Sequence, residues 1–325
     1  MTNFNPQILD VVYATDKNYL PIWSTAAISL CDNNKHFEQI NIHLLCQNLD
    51  QTDLNKCQAL EKIFSNLQLH FYSVEKFLTQ TQIETKGFPI SAYSRLFMGS
   101  VLPVDLSRVL YLDGDILTVG KIDELWQTNL EDKICGGILD PVTAEAKTKI
   151  DLNIETEYFN TGVLLISLTK WREQKVEQKM IDFLNQKNGN VFHHDQGIIN
   201  AILCPLNAWK KVPPKFDLMN VYLHFSHQQL VKLFTNRQIC SQTEIDEARL
   251  GPVFYHDKFW TSFFLHPAKK QWWKYNNQSP FGKPNGNTKS SQKIINWMQS
   301  FMPFCLYRPI WQLRWRRKIT QKGQI

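Results

Sequence analysis

The chain has 325 residues, 43% hydrophobic and 12% aromatic, enough apolar matter for one large packed domain or two smaller ones. Its net charge of +6 is unevenly spread: residues 258–325 hold thirteen Lys or Arg and no acid, leaving residues 1–257 at −7. No apolar run of about 18 residues occurs, which excludes a spanning helix on sequence grounds.

In chain order, Ile8 to Ala14 predicts a first strand, a turn at Thr15 to Asn18, and a helix through Trp23 to Leu30. Asn41 to Cys46 predicts a second strand, Gln51 to Leu67 a helix, and Leu67 to Val74 a third strand with alternating Leu69, Phe71 and Ser73. Ser91 to Met98 predicts a helix, and Arg108 to Asp113 a strand. Cys135 to Asp140 and Gly162 to Leu168 predict further strands, Lys170 to Leu184 and Asp195 to Leu203 helices. Alternation of this kind predicts an α/β sheet with helices on its faces, whose ligands gather at the carboxyl ends of the strands. Asp16, Asp113 and Asp140 all fall at such ends.

Tyr111-Leu112-Asp113-Gly114-Asp115 is the most informative stretch. Residues i and i+2 of a strand face the same side, so Asp113 and Asp115 converge, and paired carboxylates suit a hard divalent cation bridging to phosphates. Asp-Gly-Asp is also ordinary turn chemistry. Likewise, Asp195-Gln196 alone reads as a helix start with a polar neighbour. Other motifs decide between these readings.

The seven cysteines, at 31, 46, 57, 135, 204, 240 and 305, show no CxxC pairing, which argues against a disulfide framework or a zinc site and suits a reducing compartment. Met1 to Asn5 has no basic or apolar leader, so no signal peptide is expected. Residues 279–287 are dense in Gly, Pro and Asn and read as a linker. We therefore expect a body over 1–278 and a basic, aromatic-rich helical segment over 279–325. Trp311 and Trp315 mixed with Arg314, Arg316, Arg317 and Lys318 suit an anionic membrane surface, with nucleic acid the competing ligand.

Five blocks stand in order: Val12 to Tyr19, Tyr93 to Leu96, Tyr111 to Asp115, Phe159 to Ile166, and His194 to Asn200. Together they resemble the family 8 glycosyltransferases, the bacterial lipopolysaccharide α-galactosyl- and α-glucosyltransferases above all. The basic tail is similar too, and a family whose acceptor is a lipid implies a membrane for its partner ahead of nucleic acid. The resemblance implies a GT-A type fold with a mixed, mostly parallel sheet. It implies transfer of galactose or glucose with retention from a UDP-hexose, dependent on Mn²⁺ or Mg²⁺, to a lipid-linked oligosaccharide acceptor. The setting it implies is cytoplasmic, on the inner face of a bacterial inner membrane.

On that resemblance Asp16, Asn18 and Tyr19 hold the uridine, and Arg95 braces the donor. Asp113 and Asp115 bind the metal, Asn160, Asp195 and Gln196 contact the transferred sugar, and Asp140 lies at the sugar or acceptor side. The family's closing His-Gly-Lys-Pro-Trp motif is altered here to His266-Pro267-Ala268-Lys269-Lys270-Gln271-Trp272. His266 is the expected third metal ligand, with His256 the alternative, and Lys270 is expected at the diphosphate ahead of Lys269. Two rivals stand against this reading: a silent sugar-nucleotide binder on the same fold, and a two-carboxylate glycoside hydrolase.

Overall fold

The structure, a computed structural model, describes residues 4–234, 238–260, 266–284 and five positions of the tail: Arg308, Pro309, Gln312, Leu313 and Arg316. The expected lipid-facing residues Trp311, Trp315, Arg314, Arg317 and Lys318 lie outside the described residues. No described helix is long and apolar enough to cross a membrane.

Seven strands form the main sheet: β1 (Ile8–Asp16), β2 (Gln39–Gln47), β3 (Leu67–Ser73), β4 (Arg108–Leu112), β6 (Cys135–Leu139), β7 (Phe159–Ser167) and β8 (Trp209–Lys211), in the order β3-β2-β1-β4-β7-β6-β8. A second sheet joins β5 (Ile116–Thr118), β10 (Phe254–His256) and β9 (Leu218–Met219), with β10 central. All pairs of the main sheet are parallel except those of β7, which runs antiparallel to β4 and β6. Chain order reverses at β1, whose neighbours are β2 on one side and β4 on the other, so a crevice opens beyond their carboxyl ends.

Central strands are covered on both faces, which explains their unbroken apolar runs. Val109, Leu110, Tyr111 and Leu112 of β4 are all buried, as are Val11 to Tyr13 of β1. Truncating such a residue, Leu110 for example, would cost roughly 2–5 kcal/mol by leaving a cavity.

The helix Leu20–Asn33 carries buried Trp23 and Ile28. The helix Lys269–Asn276 is tied to it, Tyr275 donating to Asp32 and Asn276 to Thr25. Ser279, just past the expected boundary at 278, still reaches Ser24 at 2.6 Å, so residues through 284 stay against the body. The tail touches it as well: Arg308 and Gln312 both donate to the carbonyl of His224.

Several elements differ from expectation, each for a local reason. The helix expected over Gln51 to Leu67 is α-helical only over Gln51–Gln58, opened by a capping box of Asp50 and Asp53, and tightens to a 3-10 turn over Ala59–Lys62. The helix expected at Ser91 to Met98 is a 3-10 segment, Ile90–Phe97. Lys170 to Leu184 splits into Leu168–Glu173 and Val176–Gln186, because Lys175 takes a left-handed φ of 53°. The six described cysteines are free and buried.

Candidate active site

The second sheet builds the site. Leaving β4, the chain turns through Asp113-Gly114-Asp115 and enters β5, which pairs antiparallel with β10 so that Ile116 faces His256. That register sets His256 beside the acidic turn, and one ligand atom each from Asp113, Asp115 and His256 lie within 4.8 Å of one another. Side-chain exposures of 24%, 14% and 19% leave the three reachable yet shielded.

Two glycines make room for this approach. A Cβ on Gly162 of β7 would lie 2.6 Å from His256 Cε1, and one on Gly114 would lie 2.9 Å from Tyr19 Cε1. Any side chain at either position would force a neighbour to move.

His256 is held at both ring nitrogens. Nδ1 meets Asp217 Oδ1 at 3.1 Å and Nε2 lies 3.5 Å from Asp115 Oδ1. Burial works against its charge, but Asp217 and Asp115 outweigh it and hold the imidazole well above its ordinary pKa. Two carboxylates and an imidazole backed by a carboxylate form a donor set that fits Mn²⁺ or Mg²⁺, Mn²⁺ the better for the nitrogen ligand.

His266, the expected ligand, is elsewhere. Its ring meets Tyr255 and Phe259 edge-on at 4.7 and 4.9 Å, and its Nδ1 accepts from the Ala268 amide. Burial, with His224 nearby, pushes its pKa down to about 3, so it is a neutral packing residue in this structure. Of the two lysines, Lys270 is exposed. Lys269 is half-buried and feels Asp257, the neighbour of His256.

Arg95 is the hub of the opposite wall. Its guanidinium pairs with Asp113, meets Asp195 Oδ2 at 2.9 Å, donates to the Thr161 carbonyl at 2.7 Å, and stacks 4.3 Å from the Tyr111 ring centre. Burial disfavours its charge, yet Asp113 and Asp195 outweigh that and raise its pKa further. Burial likewise pushes the Asp195 carboxyl up to about 6, against the pull of Arg95.

Asp195 and Gln196 open the helix His194–Leu203. The two residues before them, His193 and His194, both take left-handed φ values, 60° and 52°. Such consecutive strain in non-glycine residues is stored where geometry is over-determined. Here Tyr158 and Tyr93 hydroxyls meet the two Nδ1 atoms at 3.1 and 3.0 Å.

Gln196 is fixed at both ends: Oε1 accepts from the Thr161 amide at 3.2 Å and Nε2 donates to Asp140 at 3.1 Å. Asn160 donates to the same Asp140 oxygen at 3.2 Å, while its own Oδ1 accepts from the Gly162 amide. Burial pushes the Asp140 carboxyl up to about 6, the two amide donors pulling the other way. β7 supplies Asn160, Thr161 and Gly162 because, running antiparallel, it starts at the edge where its neighbours end.

At the β1 end, Asp16 caps the turn that follows, accepting from the amides of Asn18 and Tyr19 at 2.9 and 3.2 Å and from Ser91 at 2.8 Å. Asn18 is exposed, whereas Tyr19 turns toward the acidic pair and meets Trp260 edge-on at 5.8 Å. All expected positions except His266 and Lys270 thus line one edge of the sheet. Asp217 was not among them.

The family model described as Glycosyl transferase family 8 matches residues 10–240. General stress protein A of Bacillus subtilis is 22% identical over 276 residues, 83% of this chain and 93% of that protein. Lipopolysaccharide 1,2-glucosyltransferase of Escherichia coli strain K12 is 27% identical over 241 residues, 72% of this chain and 71% of that protein. Among solved structures, the galactosyltransferase LgtC in complex with donor and acceptor sugar analogues matches with a TM-score of 0.68 at 21% identity, over 88% of this chain and all of that one. At that identity the likeness speaks for the fold.

Proposed function

The chain belongs to glycosyl transferase family 8 and is a glycosyltransferase, and on that premise we propose that it moves galactose or glucose from a UDP-sugar, with retention, to a saccharide of lipopolysaccharide or lipooligosaccharide. The observation that carries the proposal is the meeting of Asp113, Asp115 and His256 on one side of Arg95 with Asp195 and Gln196 on the other.

Asp113, Asp115 and His256 would hold the cation, whose chemistry when bound is Lewis-acid neutralisation of the UDP leaving group. Asp16, Asn18 and Tyr19 would hold the uridine, Tyr19 from a position against Gly114. Asp195 and Asn160 would orient the sugar hydroxyls. Gln196 would present a neutral amide below the anomeric carbon, locked between Thr161 and Asp140 so that it need not reorganise as charge develops. Lys269 replaces Lys270 as the proposed partner of the diphosphate, and His256 replaces His266 as the third ligand.

A glucosyltransferase among the relatives and a galactosyltransferase among the solved structures support a hexose donor. The basic tail supports a peripheral place on the inner face of an anionic membrane. The test is UDP release from a panel of UDP-sugars, with and without Mn²⁺ and chelator. Release from UDP-galactose or UDP-glucose that chelator abolishes is expected; cation-independent release, or none from either sugar, would overturn the proposal.

A further inference from the structure

Asp217 follows the 3-10 turn Pro214–Phe216 and immediately precedes β9. β9 pairs with β10 in the register Met219 to His256, so two short strands bring Asp217 to the histidine 39 residues away. Its side chain is fully buried. Oδ1 contacts His256 Nδ1 at 3.1 Å, and Oδ2 has no hydrogen-bond partner among the described residues.

A fully buried carboxylate is costly to retain unless a partner uses it. The partner here is the one imidazole of the acidic cluster, held at the nitrogen that faces away from Asp115. An acceptor at Nδ1 fixes a proton there, so that Nε2, on giving up its own proton to solvent as a cation binds, would present its lone pair on the side of Asp113 and Asp115. Gly162 packs so close to the ring that a Cβ there would lie 2.6 Å from Cε1, which limits the room the ring has to turn over. We infer that Asp217 is a positioning residue for cation binding, setting the tautomer and orientation of His256. The inference rests on the metal reading proposed above.

The experiment is a Mn²⁺ titration of the full chain with UDP, followed by the electron paramagnetic resonance signal of free Mn²⁺, for wild type, Asp217→Ala and Asp217→Asn. Loss of an outer carboxylate of this kind weakens metal affinity by about 10–100-fold. Asp217→Ala should show that loss, with turnover recovered by excess Mn²⁺. Asp217→Asn, whose amide oxygen still accepts from Nδ1, should show a smaller one. Should Asp217→Ala not fold, Asp217→Asn decides alone: a measurable rise in Kd supports the role. Mn²⁺ affinity within about twofold of wild type in the folded variants, or failure of both to fold, would overturn it. Wild type that binds no Mn²⁺ would instead remove the metal reading itself.

Discussion

Replacing His256 and His266 separately by Ala asks which histidine serves the cation and which serves the core. His256→Ala removes one of the three clustered side chains proposed as ligands and strips Asp217 of its only hydrogen-bonding side-chain partner among the described residues. Breaking a buried pair costs about 3–5 kcal/mol, and the 19% exposure of the imidazole argues for the lower end. Removal of a ligand should cost more than removal of its outer partner, so Kd for Mn²⁺ should rise at least about 100-fold, about 2.7 kcal/mol. His266→Ala opens a cavity between Tyr255 and Phe259, for about 2–4 kcal/mol of stability, and touches no member of the cluster. Both variants should therefore melt early without metal. Added Mn²⁺ should raise the melting temperatures of wild type and of His266→Ala alike, and should leave His256→Ala unmoved. Thermal melts with and without Mn²⁺, beside direct titration, read both effects. An equal loss of Mn²⁺ affinity in the two variants, or a loss in His266→Ala alone, would refute the assignment.

Gly162→Ala sets a methyl 2.6 Å from His256 Cε1 and 3.0 Å from Asn160 Oδ1. Overpacking of this size costs about 1–3 kcal/mol, and Mn²⁺ affinity should fall about 10-fold with it; an unchanged Kd would show that the ring has slack. Asp140, with its carboxyl near 6, must ionise to accept fully from both Gln196 and Asn160, so activity at saturating Mn²⁺ should fall as pH drops through about 6. The stability term has the opposite sign: a carboxyl raised from 3.8 binds its proton more tightly when folded, so its contribution is lost as pH rises toward about 6. Asp140→Asn should lower turnover roughly 10-fold, the worth of about one hydrogen bond, and reduce that acid limb to what Asp195, also near 6, contributes. An unchanged limb in pH–rate profiles of the variant would assign it wholly to another group. Deleting residues 313–325 keeps Arg308 and Gln312 on the His224 carbonyl while removing Trp315 and most of the tail's charge. Co-sedimentation with anionic vesicles should drop sharply with UDP release spared, and undiminished binding would clear the tail of that role.

Which parts of the site could be read from the residues follows from how locally each is encoded. Asp113 and Asp115 announce themselves because a long apolar run leads into them, and Asp195-Gln196 because a periodic helix follows. Asp16 is legible as an N-cap after a clear strand. His256 is not, since its place comes from β10, three residues long, pairing with β5 and the two-residue β9. Strands that short carry no periodicity. His266 has the better local setting, ahead of two lysines and Trp272, yet aromatic packing claims it. Asp217 follows Pro213-Pro214-Lys215-Phe216 and reads as a turn residue; only the fold brings it to the histidine. The break at Lys175 is equally silent, because left-handed geometry at a lysine has no sequence signal as glycine would.

One guanidinium answers to both halves of the cleft. Arg95 divides its ion pairs between Asp113, on the proposed cation side, and Asp195, on the proposed sugar side. A cation drawing on Asp113 competes with Arg95 for the same carboxylate and leaves more of the guanidinium to Asp195. On the proposed function, affinity for the cation and affinity for the hexose would then be linked quantities, and linkage between bound species is reciprocal. Whatever factor the ion adds to the grip on the donor, the donor must return to the ion. A cell's supply of free divalent metal would thereby set how much sugar nucleotide the protein holds, as much as how fast it is consumed.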